Sequence, residues 1–478
     1  MSWRNIIWIA IILCLAAVAL HLGGQRGPHA EPTDPAVKDL AGALETYELL
    51  NEHGYRVLPP ARATQGAIEG MVRQVDDFSV YIPPHKLNDF NRQASGERFG
   101  TGLRIGRHGE RILITGPMSG SPAHKAELYG PMEIVAIGQE RAADLTLAAA
   151  REMLRADDGE PVEIRLRDRD GIDTTHELSP ETYRLPTVTG IVRDEDGRWV
   201  HLLDEPHGIY YIRISEFVDK RTPKELYDAY PRSPPPRALV LDLRGNPGGT
   251  GLQVAAAVAD RFLPEGLIVR TEPRKRKPDT FDAHAAGTFP PVPTVVLIDR
   301  GTASAAEIVA GALQTHGRGL LVGERSYGKW CVQSTFDLGH GLGKVHLTTA
   351  RFHLTPARRP AAATTAPRTG QAPAPEPEMP RWLDPEVPVK LTSRAAQRLE
   401  ALRVQAMVVP RPRRSTTTAP RLSAPAERLR RAILRYDAPL ARALKLLREE
   451  RVPTTRPAGA PALRTRPAKT TRSRTPWH

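Results

Sequence analysis

Two strand-turn-helix units in direct succession constrain this chain more than any other feature. The run Ala238-Leu-Val-Leu-Asp-Leu243 is apolar almost throughout, as expected of a strand covered on both faces. It stops at Gly245-Asn-Pro-Gly-Gly249, and helical spacing follows through Val254, Ala257, Val258 and Phe262. The grammar then repeats: strand Thr294-Val-Val-Leu-Ile298, turn Gly301-Thr-Ala-Ser304, an apolar helix from Ala305 to Leu313, and strand Leu320-Leu-Val322. Alternation of this kind predicts a mostly parallel sheet covered by helices. Upstream, strand Ile209-Tyr-Tyr-Ile-Arg-Ile214 precedes Thr222-Pro-Lys-Glu225, which reads as an N-cap with Pro at N1 and Glu at N3. Open sheets of this type build sites at the carboxyl ends of their strands, where Gly249 and Ser304 are placed together.

The rest of the chain reads differently, and at 478 residues it is too long for one compact core. Residues 34–95 show helical spacing in Leu40, Leu44, Tyr47 and Leu50, then in Ile68, Met71 and Val72. Residues 96–172 hold short strands such as Arg111-Ile-Leu-Ile-Thr115 and Val162-Glu-Ile-Arg-Leu166, and form a β-rich module inserted ahead of the α/β part at 180–356. The fold class is therefore multidomain α/β.

At the N-terminus Arg4 precedes an uncharged run from Ile6 to Leu22. Residues 1–25 read as a signal peptide or, preferred here, a retained signal anchor. The remainder is then expected outside the cytoplasm, periplasmic and anchored to the inner membrane, or secreted. Residues 357–381 read as a disordered Ala/Pro/Thr linker, 382–450 as a turn and helices ending near Pro439 to Glu450, and 451–478 as a basic disordered tail. That tail accounts for much of the net charge of +13. It is read as a solvated segment, and an export leader argues against a nucleic-acid partner. Only Cys14 and Cys331 occur, so no disulfide framework and no Cys/His metal spacing can be drawn, and no metal or cofactor is expected.

Ser304 stands at the first turn of a helix, where backbone N–H groups and the positive helix end could stabilise an oxyanion formed by its attack on a carbonyl. A serine there is more often a plain helix cap. The usual partners are missing: there is no Gly-x-Ser-x-Gly elbow, the residue three after Ser304 is Glu307 instead of lysine, and His316 lies past the far end of the same helix. Lys329 follows the next buried strand on a Gly-containing loop, and it could act as a base if burial lowers its affinity for protons.

The run Gly301-Thr-Ala-Ser-Ala-Ala-Glu-Ile-Val-Ala-Gly-Ala-Leu-Gln314, continued by Val322-Gly-Glu-Arg-Ser-Tyr-Gly-Lys329 and Val332-Gln333, resembles the signature of the C-terminal processing peptidases. The likeness extends over about 300 residues and includes the separation of 25 residues between Ser304 and Lys329. It implies a crotonase-like catalytic core with a mixed sheet, Ser304 as nucleophile, Lys329 as general base and Gln333 positioning that lysine. It also implies an oxyanion hole from Gly249, in Asp242-Leu-Arg-Gly-Asn-Pro-Gly-Gly249, and Ala305. Phe99-Gly-Thr-Gly-Leu103 and Gly120-Ser-Pro-Ala-His-Lys-Ala126 resemble the carboxylate-binding loop and following helix of a PDZ domain. Gly100, Gly102 and Leu103 are then substrate contacts, and protein or peptide substrates would dock by free C-termini.

The implied activity is that of a serine endopeptidase acting on exported or membrane-associated proteins. The alternative is a catalytically inactive peptide-binding scaffold of the same fold, and homo-oligomerisation stays open. Three places depart from the family pattern: Ala306 stands where a second serine is usual, Trp330, where glycine is usual, is expected to narrow the cleft beside Lys329, and Gly130-Pro-Met-Glu133 stands where a Gly-Asp pair is common.

Overall fold

The computed structural model describes residues 35–231, 233–354, 382–412 and 422–454. The 1–25 leader, the 357–381 linker and the tail beyond residue 454 lie outside the described residues. Among the described residues no helix is long and apolar enough to cross a membrane. The chain divides into two compact units, residues up to Pro84 with Thr335–Leu347, and His85–Ser334 with the residues from Thr348 onward.

In the first unit the helical spacing produces α1 (Pro35–His53) and α2 (Pro60–Arg73). Strand β1 (Val80–Ile82) pairs antiparallel with residues 344–346, and the Tyr81 hydroxyl donates to the Leu342 carbonyl at 2.6 Å. Leu44 and Leu50 of α1 are not buried, being 69% and 46% exposed.

The second unit begins with the β-rich module. Strand β2 (Glu97–Gly100) leads into β3 (Leu103–His108), β4 (Arg111–Pro117) and β5 (Glu133–Ile137). Helix α3 (Leu147–Arg155) follows, capped by the Thr146 hydroxyl, which accepts from the Ala149 N–H at 3.1 Å. Strands β6 (Val162–Arg167), β7 (Asp173–Leu178) and β8 (Glu181–Arg184) complete it. The sheet order is β3-β4-β5-β6-β7, antiparallel throughout, with β2 and β8 as a separate pair. Ile112, Ile114, Ile134, Ile164 and Leu166 form its core on one face. That is the period-2 burial the sequence alternation in β6 calls for.

The α/β part is built on β9 (Ile209–Ile214), α4 (Arg221–Ala229), β10 (Ala238–Asp242) and α5 (Leu252–Asp260). The chain continues through β11 (Glu265–Pro273), β12 (Thr280–His284), β13 (Thr294–Ile298), α6 (Ala305–Thr315) and β14 (Leu320–Gly323). Strands β9, β10, β13 and β14 run parallel in that order, while Val188–Thr189 and Leu202–Asp204 add antiparallel edges to β9, so the sheet is mixed. Strands β15 (Cys331–Asp337) and β16 (Lys344–His353) follow, and residues 350–353 pair with β11.

Both faces of the main sheet are covered, which explains why β10 and β13 are buried at every position. Leu239, Leu241, Val296 and Ile298 face α4 to α6; Val240, Val295 and Leu297 face the other side. The second face is closed by α7 (Ser393–Met407), α8 (Ala424–Tyr436) and α9 (Ala438–Arg448).

The capping reading at Thr222 is corrected. Helix α4 starts at Arg221, and the buried Thr222 hydroxyl instead accepts from the Val218 N–H at 2.9 Å and meets the Thr187 hydroxyl. Glu225 reaches out of the helix and accepts from the Thr187 and Val188 N–H groups. A partner 35 residues away in sequence outcompeted the local cap.

Candidate functional site

Ser304 lies at the carboxyl end of β13, immediately before α6, with φ +54° and ψ −117°. Left-handed φ is uncommon for a residue with a side chain and is held only where the surroundings over-determine it. The surroundings here are explicit. Asp299 accepts from the Gly245 and Gly301 N–H groups, Thr302 donates to the Leu243 carbonyl, and the Ala303 N–H donates to the Asn246 carbonyl. The turn before Ser304 is thereby stitched to the glycine-rich turn after β10.

That second turn approaches the serine closely. A Cβ on Gly248 would lie 2.8 Å from the Ser304 Cβ, and one on Gly249 would lie 1.9 Å from the Phe217 carbonyl oxygen, so only glycine fits either place. The Gly248 N–H is spent on Asn246 Oδ1. Among the described residues neither the Gly249 nor the Ala305 N–H has a hydrogen-bond acceptor. Two unspent amides thus stand beside Ser304.

Lys329 sits on the loop between β14 and β15. Its Nζ donates to Gln333 Oε1 at 2.5 Å, and both side chains are half-buried. Trp330, half-buried beside Lys329, packs its ring on Phe352, with ring centroids 5.4 Å apart.

The residue that joins the two loops was not among the expected site residues. Glu307, fully buried on the first turn of α6, accepts from the Ser304 N–H at 2.8 Å and from the Lys329 N–H at 2.9 Å, both on Oε2. Its Oε1 accepts from the Gly328 N–H at 2.8 Å and from the Ser326 hydroxyl at 2.5 Å. The two main-chain nitrogens are therefore no farther apart than the sum of two hydrogen bonds. Burial pushes the carboxyl above its ordinary value, while the bonds from Ser326, Gly328, Ser304 and Lys329 pull the other way. Its place three residues after a serine at a helix start is a legible signal of a capping box, but in the sequence Glu307 serves only to exclude a Ser-x-x-Lys pair.

Glu307→Gln is expected to lower kcat/KM about 10- to 100-fold and to reduce the melting temperature. An amide offers one acceptor and turns its NH₂ toward two groups that are themselves donors, leaving buried polar groups unpaired at about 1–3 kcal/mol. An unchanged kcat/KM would show that Glu307 does not position the two loops.

In the module, Gly100 has φ +129° and Gly102 φ +68°, and a Cβ on Gly102 would overlap the Ser121 side chain. Thr101 is buried, its hydroxyl donating to the Leu154 carbonyl at 2.5 Å, and Leu103 is buried at the start of β3. Among the described residues the Thr101 and Gly102 N–H groups have no acceptor.

Residues 208–367 match the model of peptidase family S41. The carboxy-terminal-processing protease of Bartonella bacilliformis is 31% identical over 66% of this chain and 71% of its own length. The carboxyl-terminal-processing protease of Synechocystis is 33% identical over 62% of this chain and 68% of its own. With relatives that similar over that much of their length, the chain belongs to peptidase family S41, the carboxyl-terminal-processing serine proteases.

Proposed function

We propose that this protease works through Ser304 and Lys329 and takes its substrates by their free C-termini outside the cytoplasm. Lys329 Nζ removes the Ser304 hydroxyl proton, Ser304 Oγ attacks the peptide carbonyl, and the Gly249 and Ala305 amides hold the resulting oxyanion. The protonated amine then gives its proton to the leaving nitrogen, and water releases the acyl-enzyme. Gln333 keeps Lys329 directed. The observation that carries this reading is the single oxygen of Glu307 shared by the Ser304 and Lys329 main-chain amides.

The same reading makes the α/β part a crotonase-like core and the β-rich module a PDZ-like domain. The unspent Thr101 and Gly102 amides support carboxylate capture at the start of β3. The apolar leader supports a location at the membrane, on its outer side.

A fluorophosphonate probe added to the full chain tests the reading, with the labelled residue located by mass spectrometry. Label on Ser304, lost in Ser304→Ala, is expected. No label on a folded protein would point to the inactive scaffold instead.

A further inference from the structure

We propose that the groove between β3 and α3 favours C-termini carrying an acidic side chain at the third residue from the end, and that Arg151 reads it. The inference rests on the proposal that the module captures free C-termini.

Strand β3 is the edge of its sheet, with β4 on one side and α3 beside the other. The Gly102 carbonyl accepts from the Met118 N–H on the β4 side. Carbonyl directions alternate along a strand, so those of Leu103 and Ile105 point to the free edge. A peptide whose carboxylate meets the 99–102 loop would add antiparallel to β3. Its terminal N–H would then fall at Leu103 and that of the third residue from the end at Ile105.

The Ile105 position is already taken. Arg151, on the exposed face of α3, places Nη2 3.4 Å from the Ile105 carbonyl oxygen. An incoming strand must displace that guanidinium. The third residue pairs with Ile105, so its side chain lies on the same face as that of Ile105, under α3 and beside the displaced Arg151.

The charge around the groove points to what that side chain should be. Arg104 and Arg107 on β3 and Arg151 on α3 have no carboxylate partner among the described residues; Arg107 donates to the Leu145 carbonyl at 2.6 Å. Several other arginines of the module are paired with carboxylates, as in Arg111–Glu133, Arg155–Asp157, Arg167–Asp173 and Arg184–Glu97. Burial and the nearby Arg151 both make the Arg104 cation less favourable than in water. A carboxylate entering the groove would relieve an uncompensated positive stretch and give Arg151 a partner in place of a long contact to a neutral carbonyl.

The test uses the full chain as Ser304→Ala, so that peptides are not consumed, and fluorescence anisotropy with labelled peptides of about ten residues. Two end in Glu-Ala-Ala and Gln-Ala-Ala with free carboxylates, and a second pair is amidated at the C-terminus. The Glu peptide is expected to bind about fivefold more tightly at low salt, with the ratio shrinking as salt rises. Adding Arg151→Gln should bring the ratio to about one without weakening the Gln peptide, whereas Arg151→Lys should keep most of it. Equal affinity for Glu and Gln, or a preference that survives Arg151→Gln, overturns the inference. Amidation separates the two levels. If it weakens both peptides while Glu and Gln bind alike, only the acidic preference fails; if it changes nothing, capture of C-termini fails with it.

Discussion

Lys329→Ala is expected to lower kcat on an unfolded protein substrate by about 10³- to 10⁴-fold while leaving the fold intact, the upper range for removing a general base. Among the described residues, neither His316 nor Glu307 is disposed to replace it. The His316 Nε2 lies 2.8 Å from the Leu267 carbonyl oxygen at the opposite end of α6, and the Glu307 carboxylate is engaged by four donors. Lys329→Arg should be equally inactive, because a guanidinium keeps its charge yet does not give up its proton at any working pH. The double variant Ser304→Ala/Lys329→Ala should be little worse than either single one, since a nucleophile and its base act as a unit. Cleavage within tenfold of wild type in Lys329→Ala would remove this lysine from the chemistry.

The second large effect concerns stability. Asp437→Ala is expected to destabilise the protein by about 3–5 kcal/mol, read as a lower urea midpoint. Arg244, at the end of β10, is buried with Asp242 and Asp437, all three side chains at 1% exposure or less. Its Nη1 donates to Asp437 at 2.6 Å, and its Nε and Nη2 donate to Asp242 at 2.9 and 2.6 Å. Tyr211 and Arg403 donate to the same Asp242 oxygen. Burial opposes ionisation of Asp242, but the Arg244 and Arg403 guanidiniums outweigh it and hold the carboxyl far below its usual range. A carboxyl depressed in the folded state contributes fully above its unfolded value of about 4, and loses that contribution only as pH falls toward the folded value.

Removing Asp437 would leave a buried guanidinium half-paired and would also strip the cap of α9, where Asp437 accepts from the Leu440 N–H at 3.0 Å. Asp437→Asn separates the two effects by keeping an acceptor for the cap while deleting the charge. A midpoint shift equivalent to less than about 1 kcal/mol in Asp437→Ala would mean the triad does not hold the C-terminal helices to the sheet.

The strand-turn-helix succession was legible because burial on both faces forces an apolar run, and a turn needs glycine or proline. Those are local demands written into the residues that meet them. The nearness of Gly249 and Ser304 followed from the same alternation, since parallel strands bring their carboxyl ends to one edge. Lys329 entered as a candidate by elimination and by resemblance, because a lysine on a loop carries no local mark of its partner.

What escaped the reading was set at long range. Thr222 looks like a cap until Thr187 takes its hydroxyl, and Glu307 looks like half of a cap until Gly328 and Lys329 arrive at its other lone pairs. Arg244 gives no sign that its partner is Asp437, 193 residues later. A residue's own propensity and spacing determined where this chain forms strands, turns and helices. The assignment of buried donors to acceptors was decided only when the folded chain brought distant segments together, because a buried polar group must be satisfied by whatever the tertiary structure places beside it.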